Sequence, residues 1–418
     1  MTTTNLSALS KRGRFKSKLS VAISSAAVVV CTQVPLVSAA GAPGSVSAGP
    51  FAVTPKLGVE AKNRSNIYRR PTNETSATIY RLTPAIEFLA QERVNTYSVS
   101  YSGDYGYYQN EDPGETNDYR DHRVNAEAHI EPTSRWAIDI DAGWGDIHED
   151  RGTGLSEGAV GQGISEPVTY EQLTAGAMLT YGTRGSSRLQ ALVRMLDKEY
   201  QNFRAFTESR DYEQRQLGAN FFYPVTAKTD LTVQYVHNNF EYPFAAGNLP
   251  SFDSAEDNVT AGAEWEASAG LTSSARVGWF SKDFDDVGRK DVDGLSWMLD
   301  LQLQPTERTQ LYIRGQQAPT ETTLVGDFID RRQISFDLTQ QLGAFISVNV
   351  RASLGEDVYE GSANNRTDDL VNAGLRINYT YWRQLPLYLE YGYEDKDSSD
   401  ANLSYTDNTI AVGFVLGL

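Results

Sequence analysis

Cysteine is almost missing from this chain of 418 residues, which contains only Cys31. Cys31 lies in the apolar run LSVAISSAAVVVCTQVPLV (19–37), which follows five basic residues and ends at the small residues Ser38 and Ala39. A basic region, an apolar region and a small-residue cleavage site are typical of a secretory signal peptide, which we expect over 1–39. Its removal leaves an exported protein without cysteine, which excludes disulfides as a source of stability.

Long apolar runs are also absent once the signal peptide is set aside. No later stretch reaches 18 apolar residues, so the sequence predicts no membrane-spanning helix. Cleavage removes five basic and no acidic residues and changes the formal charge from −17 to −22. An acidic chain of this kind is a poor partner for nucleic acid and for anionic membrane surfaces.

Histidine is scarce, and no hydrolase motif such as GxSxG or HExxH is present. Of the four histidines, His148 beside Glu149 and Asp150 is the one conceivable Asp/His site. A solvated histidine at the rim of a loop explains the same pattern more simply. We therefore expect no enzyme and no catalytic residue.

The acidic residues between 394 and 400 raise the question of a metal site. Glu394, Asp395, Asp397 and Asp400 form a loose set of hard-cation ligands, but the ordered glycine of a calcium loop is missing. With no cysteine in the mature chain, a transition-metal site is also improbable. The sequence predicts no metal and no cofactor.

What the sequence does have is alternation with a period of two from residue 53 to the end. Apolar Trp136, Ile138, Ile140 and Trp144, for example, alternate with Asp139, Asp141 and glycines. One apolar and one polar face per segment indicate β-strands that separate two different environments. We expect about 18 strands, near 53–63, 77–91, 93–107, 117–131, 134–148, 166–181, 187–201, 207–223, 230–243, 256–267, 271–284, 292–304, 308–319, 327–341, 344–358, 367–381, 386–396 and 402–418.

The joins between these strands alternate between short turns and long loops. The long loops, rich in glycine, asparagine and acidic residues, include 109–118, 149–167, 245–257, 285–294 and 360–369. Short turns at one rim and long loops at the other indicate an all-β fold, a transmembrane antiparallel up-and-down β-barrel with short periplasmic turns and long extracellular loops. A soluble sandwich or propeller is the alternative, but its loops should not sort by length, and no blade-length repeat is present.

Strand parity divides the side chains between a polar lumen and a lipid-facing surface. The residues expected to line the lumen are Asp139, Asp141, Arg188, Arg194, Glu264, Glu266, Arg276, Asp300, Arg314, Asp337, Arg351, Arg376 and Glu390. Both signs occur, so these charges either pair with one another in a wet barrel or form a hydrophilic passage. Tyr388, Asn378, Gln302, Gln304 and Gln234 on the same faces suit a hydroxyl-rich solute.

Aromatic residues lie towards the strand ends on the apolar faces. Amphipathic rings at such positions form the two girdles of a membrane barrel at its interfaces with outer-membrane lipid. The expected girdle residues are Trp136, Trp144, Trp265, Trp279, Trp297, Tyr379, Tyr381, Tyr391 and Tyr393.

These patterns predict one barrel domain over 53–418, preceded by a flexible segment over 40–52. The final strand, NTIAVGFVLGL, directs Ile410, Val412 and Phe414 to lipid and its small residues to the lumen. We expect it to close the barrel against the first strand and to be read by the barrel-assembly machinery. The predicted location is the outer membrane of a Gram-negative bacterium.

The N-terminal third resembles a known family. VTPKLGVEAKNRSNIYRR, YRLTPAIEF and YSVSYSGDYGYYQNEDPGETNDYRDHRVNAEAHIEPTSRW are similar to the β-barrel porins found beside exopolysaccharide and capsule gene clusters (EpsL-like). The matched features are Asn66-Ile67, Leu82-Thr83-Pro84, Tyr101 to Tyr108 and Asp118 to His122. They mark strands and rims, and the sequence departs from the family where Ser65-Asn66 stands for Asp-Asn.

The resemblance implies an outer-membrane conduit for exopolysaccharide export, with polysaccharide as cargo and periplasmic export components as partners. The residues themselves lead only to an outer-membrane barrel with a polar lumen. Two other hypotheses remain open: a general or small-solute uptake porin, and a structural or adhesive surface barrel.

Overall fold

The computed structural model describes residues 45–109, 111–161, 163–244, 250–268, 271–322, 326–361, 366–382 and 385–417. The expected signal peptide over 1–39 lies outside these residues. Almost all of the described chain is β-strand. The strands are β1 (Val46–Ala48), β2 (Phe51–Arg64), β3 (Ala77–Glu92), β4 (Asn95–Gln109), β5 (Tyr119–Thr133), β6 (Trp136–Glu149), β7 (Val168–Tyr181), β8 (Arg188–Tyr200), β9 (Tyr212–Thr226), β10 (Thr229–Glu241), β11 (Ser254–Ser268), β12 (Leu271–Phe284), β13 (Val292–Thr306), β14 (Thr309–Glu321), β15 (Phe328–Gln341), β16 (Ile346–Glu360), β17 (Thr367–Tyr379), β18 (Leu387–Ser398) and β19 (Tyr405–Gly417).

Strands β2 to β19 form a closed antiparallel barrel. Each pairs with the next along the chain, and β19 pairs with β2 from Thr409↔Arg64 to Gly417↔Lys56. Closure leaves no free sheet edge among these 18 strands, which is the condition for a sheet to cross a bilayer. The predicted fold class, an 18-stranded up-and-down barrel, is confirmed. Among the described residues, no helix has both the length and the apolar character needed to cross a membrane.

The structure differs from the prediction at two strand starts. Residues 46–48, which composition led us to expect as part of a flexible segment, pair with 51–53 in a short hairpin that turns at Gly49 (φ +62°). Strand β9 starts at Tyr212 rather than at 207, because residues 204–210 form two helical turns. Asp211 ends this loop by accepting hydrogen bonds from the Tyr200 amide (2.8 Å) and from Arg204 (2.9 Å).

The two faces of the sheet differ as the alternation predicts. On β10, Leu231 and Val233 are about half exposed on the outer surface, whereas Asp230 and Thr232, which alternate with them, are buried. Contacts between strands that are not neighbours identify the inner face, since they can form only across the concave side of a closed sheet. Arg188 of β8, for example, reaches Glu264 of β11 at 2.8 Å.

The outer apolar surface ends before the long-loop rim. On β8, apolar Leu189, Val193 and Met195 are followed on the same face by Asp197 and Glu199. Strands of 13 to 15 residues, tilted by roughly 40°, are taller than the roughly 25 Å apolar band of an outer-membrane barrel. The charged outer positions therefore mark the part of the wall that projects beyond the hydrocarbon on the long-loop side.

The interior is unevenly filled. On β9 to β13 the inward side chains pack against one another across the curve of the wall, and Phe222, Phe280 and Lys282 are almost fully buried. On β15 to β17 the inward residues are mostly half-exposed. The open part of the lumen is therefore displaced towards the side that carries β15 to β19 and β2 to β6.

Candidate functional site: the lumen and its mouth

The structure places every predicted lumen residue on the inner face of the wall. Most of them pair with one another or with a close neighbour. The ion pairs are Asp141–Arg194 (3.2 Å), Arg188–Glu264 (2.8 Å), Arg351–Glu390 (2.7 Å), Arg376–Glu390 (3.2 Å), Asp300–Arg314 (3.6 Å) and Glu266–Lys228 (3.8 Å). The remaining contacts are Asp139–His129 (2.6 Å), Asp337–Asn349 (2.8 Å) and Arg276–Gln234 (3.3 Å).

This pairing decides between the two interpretations of the lumen charges. Arg351 with Glu390, like Asp141 with Arg194, joins next-but-one strands, so each pair spans the concave wall. Compensated charges of both signs produce no single-sign ladder. The charges therefore contact mainly one another, as the interpretation of paired charges in a wet barrel expects.

The predicted hydroxyl-binding residues have several different surroundings. Tyr388 donates to Glu60 (2.7 Å), and the Arg376 guanidinium lies 3.7 Å from the centre of its ring. Asn378 donates to Ser347 (3.4 Å), and Gln302 donates to Asp300 (3.3 Å). Gln234 lines a recess in the inner wall.

The predicted girdle residues lie on the outer face or, for Tyr381, in the connection after β17. Trp136, Trp265, Tyr379 and Tyr381 are near the short-turn rim, and Trp144, Trp279, Trp297, Tyr391 and Tyr393 lie in the half nearer the long loops. Their function at the bilayer interfaces stays a prediction. Sequence reasoning missed the outward Tyr80, Tyr107 and Tyr181, although parity and exposure give them the same position, and it missed the exposed Trp382 in the connection after β17.

The lumen mouth near the barrel seam holds an ionic cluster of Arg64, Arg69, Asp150, Glu394 and Asp407, here called the mouth cluster. Arg64 contacts Asp407 (2.7 Å) and Asp150 (3.2 Å). Arg69 contacts Asp150 (3.0 Å) and Glu394 (3.2 Å). Both arginine side chains are more than nine-tenths buried, so the cluster joins β2, β6, β18 and β19 in a setting where water screens little.

Two loop members of this cluster have strongly shifted pKa values. Burial opposes ionisation of Asp150, but Arg69 and Arg64 outweigh it and hold the pKa of this carboxyl well below its ordinary value. Burial likewise opposes the charge on Arg69, whereas Glu394 and Asp150 raise its pKa well above the ordinary arginine value. Both groups are therefore charged across the physiological pH range.

Asn66, part of the motif behind the family resemblance, braces the loop 65–76 against this cluster. Its side chain is fully buried and donates to the carbonyls of Arg70 (2.7 Å) and Thr406 (3.2 Å). Its Oδ1 accepts from the Arg70 amide (3.0 Å), and its own amide donates to Asp407 (2.9 Å). The motif is thus structural, and it fixes the loop beside the seam.

The described residues of the loop between β6 and β7, 150–161 and 163–167, fold over the mouth and are here called the mouth loop. Leu155 and Ile164 pack with Val168, Tyr170 and Tyr200 in a small apolar core at its base. At its tip, Glu157 forms two hydrogen bonds with Arg366 (2.7 and 2.8 Å) and contacts Lys396.

The partners of Glu157 lie on a distant part of the wall. Lys396 is on β18 and Arg366 immediately precedes β17. From β6 to β18 through the seam is six strand spacings, about 29 Å along the wall at roughly 4.8 Å each. The mouth loop therefore bridges a large part of the opening and narrows it. Sequence reasoning placed the loop but found no signal for its partners, because parity does not apply within loops.

His148, which the sequence suggested as part of an Asp/His site, is held in place by a neighbouring ring and by carboxylates. Its ring stacks on Tyr119 with 3.8 Å between centroids, Nδ1 is 2.7 Å from Asp121, and Nε2 is 3.5 Å from Asp150. Both ring nitrogens face carboxylates, so neither is set to activate a hydroxyl group.

The acidic residues 394–400 do not converge on one point. Glu394 contacts Arg69, while Asp395 accepts from Thr406 (2.8 Å), and Asp400 accepts from the Asn402 amide (3.1 Å). Within the described parts of the chain, no group of three or more potential ligands is arranged to hold a metal ion.

The chain is similar to several solved porin structures. The outer membrane protein OpdK of Pseudomonas aeruginosa is 12% identical with a TM-score of 0.45, over 88% of this chain and 99% of that one. A BenF-like porin of Pseudomonas fluorescens Pf-5 is 11% identical with a TM-score of 0.47, over 88% and 98%. OccAB4 of Acinetobacter baumannii is 10% identical with a TM-score of 0.44, over 88% and 98%. No curated protein matches the chain.

The family model described as "Putative beta-barrel porin 2" matches residues 39–417, nearly the whole chain. That description names a barrel porin and no cargo, so the association with exopolysaccharide stays a prediction. With the closed barrel and its polar inner wall, this match identifies the chain as an outer-membrane β-barrel porin, a member of the putative beta-barrel porin 2 family.

Proposed function

We propose that this porin is a passive channel through which small polar solutes enter the periplasm. The observation that carries the proposal is the mouth loop, held across the opening by the ion pairs of Glu157 with Arg366 and Lys396. A channel narrowed at its mouth by a pinned loop limits solutes by size. The filled interior on the β9 to β13 side restricts the passage further.

The charge pattern of the wall supports the same proposal. The lumen charges are paired with one another, so they neither attract nor repel one sign of ion strongly. Half-exposed polar side chains on β15 to β17 leave a wet surface along which small solutes diffuse. Uptake then follows the concentration gradient and needs no other energy source.

Export of exopolysaccharide, which the family resemblance implies, makes a different demand on the mouth. A polymer in transit has to displace the mouth loop and break the buried contacts of Glu157, and then hold the loop away while it passes. Polysaccharide cargo and periplasmic export components are accordingly the less favoured proposal.

Permeation through the purified barrel in liposomes tests the proposal. We expect rapid swelling with a monosaccharide, slower swelling with a disaccharide and none with a dextran. A barrel that excludes the monosaccharide would instead favour the structural or adhesive hypothesis. In a deletion strain, loss of surface polysaccharide together with normal uptake of small solutes would overturn the proposal in favour of export.

A further inference from the structure

An open recess lies in the inner wall between β9 and β14, in the half of the barrel nearer the long loops, and together with the adjoining open lumen it encloses about 750 Å³. It exists because the inward side chains of this region reach over neighbouring strands. Asn258 of β11 donates to Ser296 of β13 (3.0 Å), and Tyr242, after β10, donates to Glu321 at the end of β14 (2.5 Å). Asn258, Ser296 and Glu321 all line the recess, so these contacts lie in its wall.

Carboxamides dominate the lining of this recess. Gln214, Gln216, Gln234, Asn238 and Gln316 all contribute to it. A carboxamide offers two donor hydrogens and an acceptor oxygen, so a group of them can bond hydroxyls in either direction. Such a surface suits a solute that carries several hydroxyl groups.

The carboxamides are fixed in position by one another. Asn238 Oδ1 accepts from Gln214 (3.1 Å) and from Gln216 (2.8 Å), and its Nδ2 donates to Glu256 (3.3 Å). All four side chains are more than nine-tenths buried. A buried network with defined rotamers is pre-organised, which lowers the entropy cost of binding.

Part of the polar lining has no partner in the protein. Thr260 is 7% exposed and lines the recess, yet its Oγ1 forms no hydrogen bond within the described chain. The same holds for Oδ1 of Asn258, whose Nδ2 is already used. A buried polar atom without a partner is costly. Both atoms are shielded by the protein, so a solute hydroxyl reaches them only after a shift of the lining side chains.

Rings and charges narrow the class of ligand. Tyr212 and Phe240 also line the recess, with 6.3 Å between their centroids. Lys282 Nζ lies over the Phe240 ring (4.2 Å) and Tyr242 stacks on Tyr212, so each ring has one remaining face for the C–H groups of a sugar ring. Lys282 forms an ion pair with Glu321, which leaves Glu256 as a further acidic group in the lining. An anionic solute would have to approach this acidic group. The ligand that fits best is uncharged.

We propose that this recess is a binding site for an uncharged, hydroxyl-rich solute, of the size of one saccharide unit, on its way through the channel. The carboxamides and Glu256 bond its hydroxyls, Thr260 completes the set, and the two rings pack on its apolar face. The class of solute in this proposal rests on the proposed channel function. Binding of the solute in the recess does not itself require conduction.

Substitution of Thr260 by valine tests the site without removing any hydrogen bond within the protein. Valine has nearly the same shape, and the lost hydroxyl leaves no partner unsatisfied, so the barrel should fold as before. The matched control is Thr54→Val on β2, across the barrel, where a 2% exposed threonine also has an Oγ1 with no partner in the described residues. A purely structural role predicts the same behaviour for the two variants.

Binding is measured on the detergent-solubilised full barrel by titration with glucose, maltose and gluconate, and in parallel as block of the current through single channels. We expect saturable millimolar binding of glucose and maltose, weaker binding of gluconate, and a loss of roughly three- to tenfold in affinity for Thr260→Val only. A channel that conducts but shows no saturable binding, or equal affinities in both variants, would overturn the recess proposal and leave the channel function intact. Saturable binding without conduction would overturn the channel function alone.

Discussion

Replacement of Glu157 by glutamine should release the mouth loop. Glu157 is one of the acidic partners of Arg366 and Lys396, whose side chains are 6% and 7% exposed. In the variant both cations keep Asp368 as an acidic partner, which already contacts each of them. The amide can still accept one hydrogen bond but no longer attracts either cation by charge.

The size of the effect follows from the contacts that are lost. Charge-assisted hydrogen bonds contribute about 1.5–3 kcal/mol each, and Glu157 forms two with Arg366 as well as the contact with Lys396. Because a glutamine retains part of this stabilisation, we expect the free energy that holds the loop in the pinned position to fall by about 2–4 kcal/mol. That corresponds to an increase of roughly 30- to 1000-fold in the ratio of released to pinned loops.

Single-channel recordings and liposome swelling measure the consequence. Glu157→Gln should give larger and noisier conductance and admit oligosaccharides that the parent channel excludes, while the thermal stability of the barrel changes little. The matched control is Glu166→Gln in the same loop, because Glu166 is exposed and has only a long contact of 3.5 Å from Asn202. Identical conductance and size limits in the Glu157 variant and the parent would refute the view that the pinned loop sets the passage.

Three further substitutions probe the wall and the mouth cluster. Gly413→Ala places a Cβ about 2.4 Å from the Tyr388 hydroxyl at the seam, so the yield of folded barrel in heat-modifiability gels should fall. The control Gly392→Ala, whose added Cβ has its nearest neighbour at 3.6 Å, should behave as the parent. Equal yields for the two variants would contradict this prediction. Asp150→Asn should lower the melting temperature at pH 7. Because the pKa of Asp150 is depressed in the folded barrel, the stability that its carboxylate contributes is present above the ordinary carboxyl pKa of about 3.9 and is lost in more acidic solution. Melting temperatures of the variant and the parent that fail to converge in acid would argue against this account. Asn66→Ala removes three side-chain hydrogen bonds and should destabilise the loop 65–76 by about 1–3 kcal/mol, seen as faster proteolytic cleavage there, and unchanged cleavage would count against the bracing role.

The barrel itself was predictable because every strand obeys the same simple constraint. A wall between lipid and water forces alternation, so Leu231 and Val233 face outward and Asp230 and Thr232 inward, as parity requires. The predicted start of β9 was wrong for a local reason. Residues 207–211 were expected to begin the strand, but a helical turn and the contacts of Asp211 use them to end a loop.

The pinned mouth and the recess could not be predicted, since both depend on contacts between segments far apart in the sequence. Glu157 and Arg366 are 209 residues apart, and each stands in a loop where no periodicity constrains direction. Gln234 was expected to face a hydroxyl-rich solute from parity alone. That Gln214, Asn238 and Thr260 surround the same space follows from the local curvature of the wall, which alternation does not encode.

The distribution of charge suggests that charged and neutral side chains have different roles along the inner wall. Some pairs of opposite charges join next-but-one strands, as Arg351 with Glu390 and Asp141 with Arg194, and so brace the concave surface. Charges used in this way bind each other too well to recognise a passing solute, because any solute must first compete with the existing partner. Recognition is then left to neutral groups, and these concentrate between β9 and β14, where Thr260 retains an unused hydroxyl. If the proposed channel function and the proposed recess site are both correct, the porin selects by size at its mouth and by hydrogen bonding in its wall, with little use of net charge.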